Sequence, residues 1–231
     1  LVSDCFYKDD GVQLKTGRGE SQAWCEQLDF PWKSPVTWID SGAGPESTGD
    51  SDPSKRGKYV NPHEARLVLR LLQRLAAPHQ AELLKNIQSS HHPIGVITMY
   101  SAQKALLEKE LSKAEWAASI RSMIRIDTVD SYQGQENPFI ILSLVRDNIP
   151  EMQGFMWEPS RINVSLSRAQ ERLAIVGAAR MWRKRNKLDP LGRVLRFIEE
   201  KTALRHPGYA IVTELPEFDF QQSVREEAEH A

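Results

Sequence analysis

The sequence has few cysteines, almost no net charge and no long apolar run. Its two cysteines, Cys5 and Cys25, form no CxxC pair, and no Cys/His spacing typical of zinc occurs, so we predict two free thiols in a cytoplasmic protein and no metal site. There is no signal peptide and no apolar stretch long enough to span a bilayer, so no membrane partner is predicted. Because the formal net charge is -1, bulk charge gives no argument for nucleic acid, and such an argument needs a local patch.

The composition is that of an ordinary globular protein, with 40% hydrophobic and 26% charged residues. A length of 231 residues allows one sizeable domain with appended pieces. The sequence opens on Leu1–Asp4 without an initiator methionine, and we therefore expect it to be a segment of a longer protein.

Segments typical of strands alternate with segments typical of helices along the chain. Short apolar runs predict strands at 36–40, 93–98, 123–128, 139–145, 173–177 and 210–213. Helical periodicity and start signals predict helices at 61–77, 78–90, 101–119, 158–170 and 191–204. This alternation indicates an α/β fold with a mostly parallel sheet covered on both faces, in which ligands bind beyond the carboxyl ends of the strands.

Composition also divides the chain into three parts. Residues 1–35 are mixed and are predicted to be a connecting segment, and residues 36–213 are predicted to form the folded domain. Within that domain, residues 41–58 are rich in Gly, Ser, Asp and Pro, which predicts a mobile surface loop. Residues 214–231 form an acidic tail that we expect to be partly disordered.

The helix at 61–77 has the clearest start signal. Asn61 can cap the helix, Pro62 suits the first helical position, and Glu64 can reach back to the cap. The apolar residues that follow recur at helical spacing and predict one buried face: Leu67, Leu71, Leu72 and Leu75.

Three segments carry motifs in a fixed order. They are Ile94–Gln103 (IGVITMYSAQ), Val129–Glu136 (VDSYQGQE) and Arg161–Ala169 (RINVSLSRA). Together they resemble the second RecA-like domain of superfamily 1 helicases, of the type that translocates 5′ to 3′ in RNA surveillance and in replication and repair. Two shorter stretches, Tyr59–Ala65 and Ser3–Tyr7, are similar to further parts of that domain. The resemblance covers most of residues 1–180 and implies a RecA-like, P-loop NTPase-type, three-layer α/β/α fold, in which residues 1–35 lead from a preceding motor half.

The resemblance gives Arg168 the role of an arginine finger, which stabilises the transition state at the γ-phosphate of ATP. If 158–170 is helical, Arg161, Ser165, Arg168 and Arg172 share one face, while Ile162, Leu166 and Ala169 share another that can pack on the sheet. A face with three arginines suits an anionic ligand, so Arg161 is a second nucleotide-binding candidate. The alternative is a solvated basic face.

The turn at 133–136 supplies the other predicted nucleotide contacts. Glu136 matches the carboxylate that meets the nucleotide ribose in this family, and a carboxylate can accept hydrogen bonds from hydroxyl groups. Gly134 allows a positive φ and a close approach of the ligand. Gln133 can bridge the nucleotide and nucleic-acid sites. The alternative is an ordinary strand connection closed by Asn137 and Pro138.

Polar and aromatic side chains at the predicted strand ends are candidates for nucleic-acid contacts: Thr98, Tyr100, Gln103, Thr128 and Ser131. Short hydroxyls can bond phosphate oxygens, and Tyr100 can stack on a base. For each residue taken singly, a structural role is an equal alternative. Residues 180–187 hold five basic residues in eight, which either contact a nucleic-acid backbone or form a solvated loop.

The sequence also departs from the family pattern. Met99 stands in place of Pro, Ser160 in place of the first Arg of the third motif, and Ser167 in place of Thr. No GxxxxGK[ST] phosphate-binding loop occurs, and Gly57-Lys58 is followed by Tyr59. The resemblance therefore implies ATP and Mg²⁺ as cofactors with Mg²⁺ held by the first motor domain, and we expect this chain alone neither to hydrolyse ATP nor to unwind.

The hypothesis from sequence is the second motor domain of an ATP-dependent helicase, with the N-terminal RecA-like domain and single-stranded nucleic acid as partners. The turn Val129–Gly134, residues 136–138 and Ser167–Ala169 are closer to bacterial relatives, which favours DNA over RNA. Two alternatives stay open. One is a catalytically inactive RecA-like interaction module, and the other is a flavodoxin-like domain that binds a small nucleotide by itself.

Overall fold

The computed structural model describes residues 1–9, 11–14, 22–43, 59–87, 92–185 and 188–230. These residues form six strands: β1 (Val36–Ile39), β2 (Ile94–Thr98), β3 (Ile124–Thr128), β4 (Asn137–Ser143), β5 (Ala169–Val176) and β6 (Tyr209–Val212). The strands make one sheet in the order β3-β2-β4-β5-β1-β6, and every pairing in it is parallel. The predicted α/β class with a parallel sheet is confirmed.

Helices cover both faces of this sheet. They are α1 (Pro62–Leu75), α2 (Pro78–Lys85), α3 (Ser101–Lys113), α4 (Pro159–Leu166), α5 (Arg180–Arg183), α6 (Pro190–Ala203) and α7 (Phe220–His230). Apolar residues of α1, α2 and α3 form one buried cluster with one face of the sheet, and those of α4, α5 and α6 form a second cluster with the other face. The three-layer α/β/α architecture predicted from the resemblance is therefore present.

Helix α1 begins as the sequence predicts. Pro62 is its first residue, and the Asn61 side chain accepts a hydrogen bond from the Glu64 backbone N–H at 3.0 Å. The four leucines at helical spacing are buried. Glu64, however, points into the protein instead of back to the cap, because its carboxylate has buried partners on other elements.

The boundary between α4 and β5 differs from the prediction. Helix α4 ends at Leu166 and β5 begins at Ala169, so Arg168 lies in the connection and Arg172 lies in a strand. The predicted helical face of Arg161, Ser165, Arg168 and Arg172 does not form. Arg172 is buried because its guanidinium donates to the carbonyls of Trp32 at 2.7 Å and Cys25 at 3.0 Å, in a segment that folds over the sheet.

Described residues near both ends of the chain pack against the central domain. Trp24 and Trp32 contact the Phe139 ring on β4, and Arg193 of α6 donates to the Cys5 carbonyl at 2.9 Å. The tail carries helix α7, whose start has Asp219 accepting from the Gln222 N–H at 3.0 Å and Phe220 packed on the core. Most of the predicted mobile loop, residues 44–58, lies outside the described residues. None of the described helices is long and apolar enough to cross a membrane.

Candidate nucleotide and nucleic-acid edges

The predicted nucleotide residues, with the exception of Arg161, lie at the amino edge of the sheet. Residues 133–136 come directly before β4, and Arg168 comes directly before β5. Since β4 and β5 are parallel neighbours, with Asn137 opposite Ala169, their amino ends meet. The chain crosses from the carboxyl end of β3 to the amino end of β4 within residues 129–136, so the turn and the end of β3 lie on opposite edges of the sheet.

Arg168 and the turn contact each other at this edge. Arg168 Nη1 donates to the Gln135 carbonyl at 3.3 Å, and the Asn137 N–H donates to the Arg168 carbonyl at 3.0 Å. Next to them, Gln170 Nε2 donates to Glu136 Oε2 at 3.4 Å. The fold therefore brings together two motifs that are far apart in sequence. The sequence did not predict the contacts of Gln135 and Gln170. Gln135 contributes a backbone carbonyl and Gln170 a side-chain amide at the start of a strand, and neither contact has a recognisable sequence pattern.

The guanidinium of Arg168 is held by its own chain. Nε donates to the Val164 carbonyl at 2.9 Å, and Nη2 donates to Ser167 Oγ at 2.9 Å. Ser167 Oγ in turn donates to the same Val164 carbonyl at 3.0 Å. Ser167, which stands where the family has threonine, thus helps to orient the arginine.

Gly134 has the backbone conformation that the sequence predicted. Its φ is +81°, in the left-handed region, and a Cβ placed on it would meet nothing within 4 Å. The glycine is therefore required by backbone conformation and not by crowding, and the space beside it is open to a ligand.

We expect Gly134→Ala to lower the free energy of unfolding by about 1–2 kcal/mol, because alanine is strained in the left-handed region and no contact offsets the strain. Gly134→Asn should cost less, since asparagine tolerates this region better. Urea unfolding of both variants measures the difference. An alanine variant as stable as the wild type would show that the turn does not keep this conformation.

Arg161 does not join the Arg168 group. It lies near the start of α4, where Nε is 3.2 Å from Glu158 and Nη2 is 3.5 Å from Asp130. Its Cζ also lies 5.1 Å from the centroid of the Phe155 ring. Asp130 follows the carboxyl end of β3, so Arg161 is grouped with that edge, and no described contact connects it to Arg168 or Glu136.

The candidates for nucleic-acid contacts lie at the carboxyl edge, but they differ in exposure. Ser131 is exposed and Thr128 is partly exposed, and Thr128 Oγ1 donates to Ser131 Oγ at 3.1 Å. Thr98, Tyr100 and Gln103 are at most 2% exposed. Only the two hydroxyls on the β3 side are therefore open to a ligand in this structure.

Gln103 and Tyr100 have structural contacts here, which is the alternative that the sequence left open for each residue. Gln103 Oε1 accepts from the Asn61 N–H at 2.9 Å, and its Nε2 donates to the Asn61 carbonyl at 3.2 Å and to Ser143 Oγ at 3.3 Å. The Tyr100 ring lies between the rings of Tyr59 and Phe155, with centroids 5.0 and 5.8 Å away. Both side chains are enclosed, so Tyr100 presents no face to a base in this structure.

Glu64 was predicted to reach back to the cap of α1, but its side chain is buried and binds other elements. Its Oε2 accepts from the Val145 N–H at 2.7 Å and from Ser143 Oγ at 2.9 Å, and Ser41 Oγ donates to Oε1 at 3.4 Å. The side chain is 0% exposed, and burial raises the pKa of this carboxyl to about 8. This carboxyl group joins the carboxyl ends of β1 and β4 to α1.

The backbone conformation of Val145 accounts for the buried carboxyl group of Glu64. Its φ is +71°, which is a strained value for a β-branched residue. Glu64 fixes its N–H, and Asn61 Nδ2 donates to its carbonyl at 3.1 Å. These two contacts hold the turn that directs the chain out of β4 at the carboxyl edge. A positive φ at valine leaves no signal in the sequence.

Comparison with known proteins agrees with this fold. The parallel sheet with helices on both faces is the RecA-like α/β fold. A family model described as an AAA domain matches residues 1–180, and the chain belongs to this family.

Curated relatives with this similarity carry helicase names. The chain is 32% identical over 180 residues to "Probable helicase senataxin" of Homo sapiens, covering 76% of this chain and 6% of that protein. It is 32% identical over 208 residues to "5'-3' DNA helicase ZGRF1" of Mus musculus, covering 89% and 10%. It is 33% identical over 200 residues to "Regulator of nonsense transcripts 1" of Dictyostelium discoideum, covering 82% and 13%. The chain thus spans only a small part of the length of the relatives it matches.

Proposed function

We propose that this chain is the second motor domain of an ATP-dependent nucleic-acid helicase. The observation that carries the proposal is the meeting of Arg168 with the 133–136 turn at the amino edge of β4 and β5. Similarity to helicases over most of the chain supports it. A catalytically inactive interaction module would have no need to keep Arg168 and Glu136 at this edge.

In this proposal Arg168 enters the nucleotide site of the other motor lobe as an arginine finger. Its charge would stabilise the γ-phosphate as negative charge develops there. Glu136 would accept hydrogen bonds from the ribose hydroxyls, and Gln133 and Gly134 would line the site. The absence of any atom within 4 Å of a Cβ placed on Gly134 leaves this position open to a ligand. The other lobe would hold Mg²⁺, which neutralises phosphate charge during hydrolysis.

Single-stranded nucleic acid would lie at the opposite, carboxyl edge. Thr128 and Ser131 offer hydroxyls that can bond phosphate oxygens without reading sequence. We propose that the strand is DNA, because Val129–Gly134 and Ser167–Ala169 are closer to the bacterial relatives of the family. The nucleotide site and the nucleic-acid site would thus lie on opposite edges of one domain. When the two lobes close on ATP, the domain would move and carry with it the residues that bind the strand.

The test is ATP hydrolysis by the intact protein with single-stranded DNA, single-stranded RNA or neither. The proposal predicts hydrolysis that a single strand stimulates, with DNA as the better activator. No hydrolysis under any condition would remove the motor function and leave the interaction module. Stimulation by RNA alone would overturn only the choice of strand.

Glu136→Gln is expected to raise the KM for ATP by about tenfold with little change in kcat, because one charge-assisted hydrogen bond to the ribose is weakened. The comparison with 2′-deoxy-ATP separates this role from a general loss of binding. The wild type should discriminate against the deoxynucleotide and the variant should not. Equal discrimination in both proteins would contradict the ribose assignment.

A further inference from the structure

An apolar surface stands at the carboxyl edge and has no role in the function described so far. Between β4 and α4, four large apolar side chains are exposed within residues 149–157: Ile149 at 95%, Met152 at 59%, Phe155 at 49% and Trp157 at 66%. No other stretch of the described residues exposes more than two large apolar side chains so close together. We name residues 149–157 the apolar loop. Such concentrations on a surface mark interaction sites.

Polar contacts fix the apolar loop in place. Arg146 Nε donates to the Met152 carbonyl at 2.9 Å, and the Met152 N–H donates to Asn148 Oδ1 at 2.8 Å. Arg185 donates to the Glu151 carbonyl. At Gly154 the φ is +62°, and a Cβ there would collide with the Tyr100 hydroxyl. The loop therefore displays its apolar side chains on a rigid base.

Basic residues of α5 and of its carboxyl end flank the apolar loop. Residues 180–185 contain Arg180, Arg183, Lys184 and Arg185 and no acidic residue. A depression of about 350 Å³ is lined by Ile149 and Glu151 together with three basic residues, Arg180, Arg183 and Lys184. Arg180 pairs with Asp147 at 2.6 Å and Arg183 with Glu199 at 2.8 Å, whereas Lys184 is exposed and pairs with no carboxylate among the described residues.

The chemistry of this surface matches one kind of polymer. Single-stranded nucleic acid presents flat apolar bases and regularly spaced phosphates, and proteins bind it with aromatic platforms beside basic grooves. The surface lies on the same edge as Thr128 and Ser131. Arg168, the residue proposed to face the nucleotide of the other lobe, lies on the opposite edge from the apolar loop.

We infer that the apolar loop and residues 183–184 form a second contact for single-stranded nucleic acid, which extends the track beyond Thr128 and Ser131. Bases pack on Trp157, Phe155 and Ile149, and phosphates bind at Arg183 and Lys184. The inference rests on the proposed helicase function and adds a subsite to it. Because every base has a flat face, this contact is independent of sequence.

The test uses the intact protein and fluorescent oligothymidylate or oligouridylate, with affinity measured against salt. Each phosphate contact on a single strand contributes about 0.7 to the slope of log affinity against log salt. Between 50 and 200 mM salt, Arg183→Gln/Lys184→Gln should therefore lose about sevenfold less affinity than the wild type. Trp157→Ala should weaken binding at fixed salt by about fivefold or more through lost stacking, without changing the slope.

Two matched variants serve as controls. Lys85→Gln/Lys113→Gln removes two exposed charges elsewhere, and Leu204→Ala truncates an apolar side chain that is 70% exposed at the other edge. Both should bind like the wild type. If the wild type binds and is stimulated by the strand while all variants behave alike, the second contact is refuted and the motor function stands. If the wild type binds no strand, both proposals fail.

Discussion

Replacing Arg168 with alanine is expected to slow strand-stimulated ATP hydrolysis by about 10³–10⁵-fold in the intact protein. The side chain lies at the amino edge of β5, next to the 133–136 turn, where it donates to the Gln135 carbonyl at 3.3 Å. In the transition state it would meet negative charge on the γ-phosphate that is weaker in the ground state. The KM for ATP should therefore change much less than kcat.

Two further variants separate this role from damage to the fold. Arg121→Ala removes an arginine that also donates to two backbone carbonyls, of Leu111 and Ala114, but lies before the outermost strand β3 and has no described contact with Arg168 or the 133–136 turn. It should keep its hydrolysis rate. Arg168→Lys keeps the charge but loses the planar fork, and it should recover only part of the rate. If all three variants kept wild-type rates, Arg168 would not be the finger.

Glu64→Ala is expected to lower the free energy of unfolding by about 3 kcal/mol or more, because it leaves the Val145 N–H and the Ser143 hydroxyl without their buried partner and opens a cavity. For a chain of this size, that corresponds to a fall in Tm of roughly 6–12 °C. Glu64→Gln should keep most of the stability, since its amide can occupy the same site in the neutral state. Equal losses in both variants would contradict the idea that a neutral group is required.

The pH dependence of stability should also identify Glu64. Its pKa is about 8 in the folded chain against an ordinary 4.5, so between these values the folded state holds a proton that the unfolded state has lost. The contribution of Glu64 to the free energy of unfolding is therefore complete below about pH 4.5 and is lost as the pH rises to about 8. Relative to the wild type, Glu64→Gln should gain stability from pH 5 to pH 8 in thermal unfolding. A constant difference would show that Glu64 is ionised in the fold.

Elements with a strong local signal could be predicted from the sequence. The strand at β2 is a continuous apolar run, and α1 has both a capping residue and an apolar stripe, so each was predicted almost to the residue. The order of the three motifs also gave the RecA-like class. These features depend on neighbours in sequence, which is the information a sequence carries most directly.

Features that depend on distant contacts could not be predicted in this way. The start of β5 at Ala169 is fixed by pairing with Asn137, and the burial of Arg172 is fixed by residues 22–32. Tyr100 and Gln103 fit a surface role in the motif, but the fold encloses them with Tyr59 and Asn61. The meeting of the 133–136 turn with Arg168 depends on the pairing of β4 with β5, which no local pattern specifies.

The role of Arg168 in completing the nucleotide site is tested most directly by the affinity of the intact protein for ADP–aluminium fluoride in the presence of a single strand. This compound is an analogue of the transferring phosphoryl group. The wild type should bind the analogue more tightly than ATP by at least about 10²-fold. Arg168→Ala should lose most of that advantage and still bind ATP with nearly unchanged affinity. Equal affinities of wild type and variant for the analogue would contradict the claim that this chain completes the nucleotide site through Arg168.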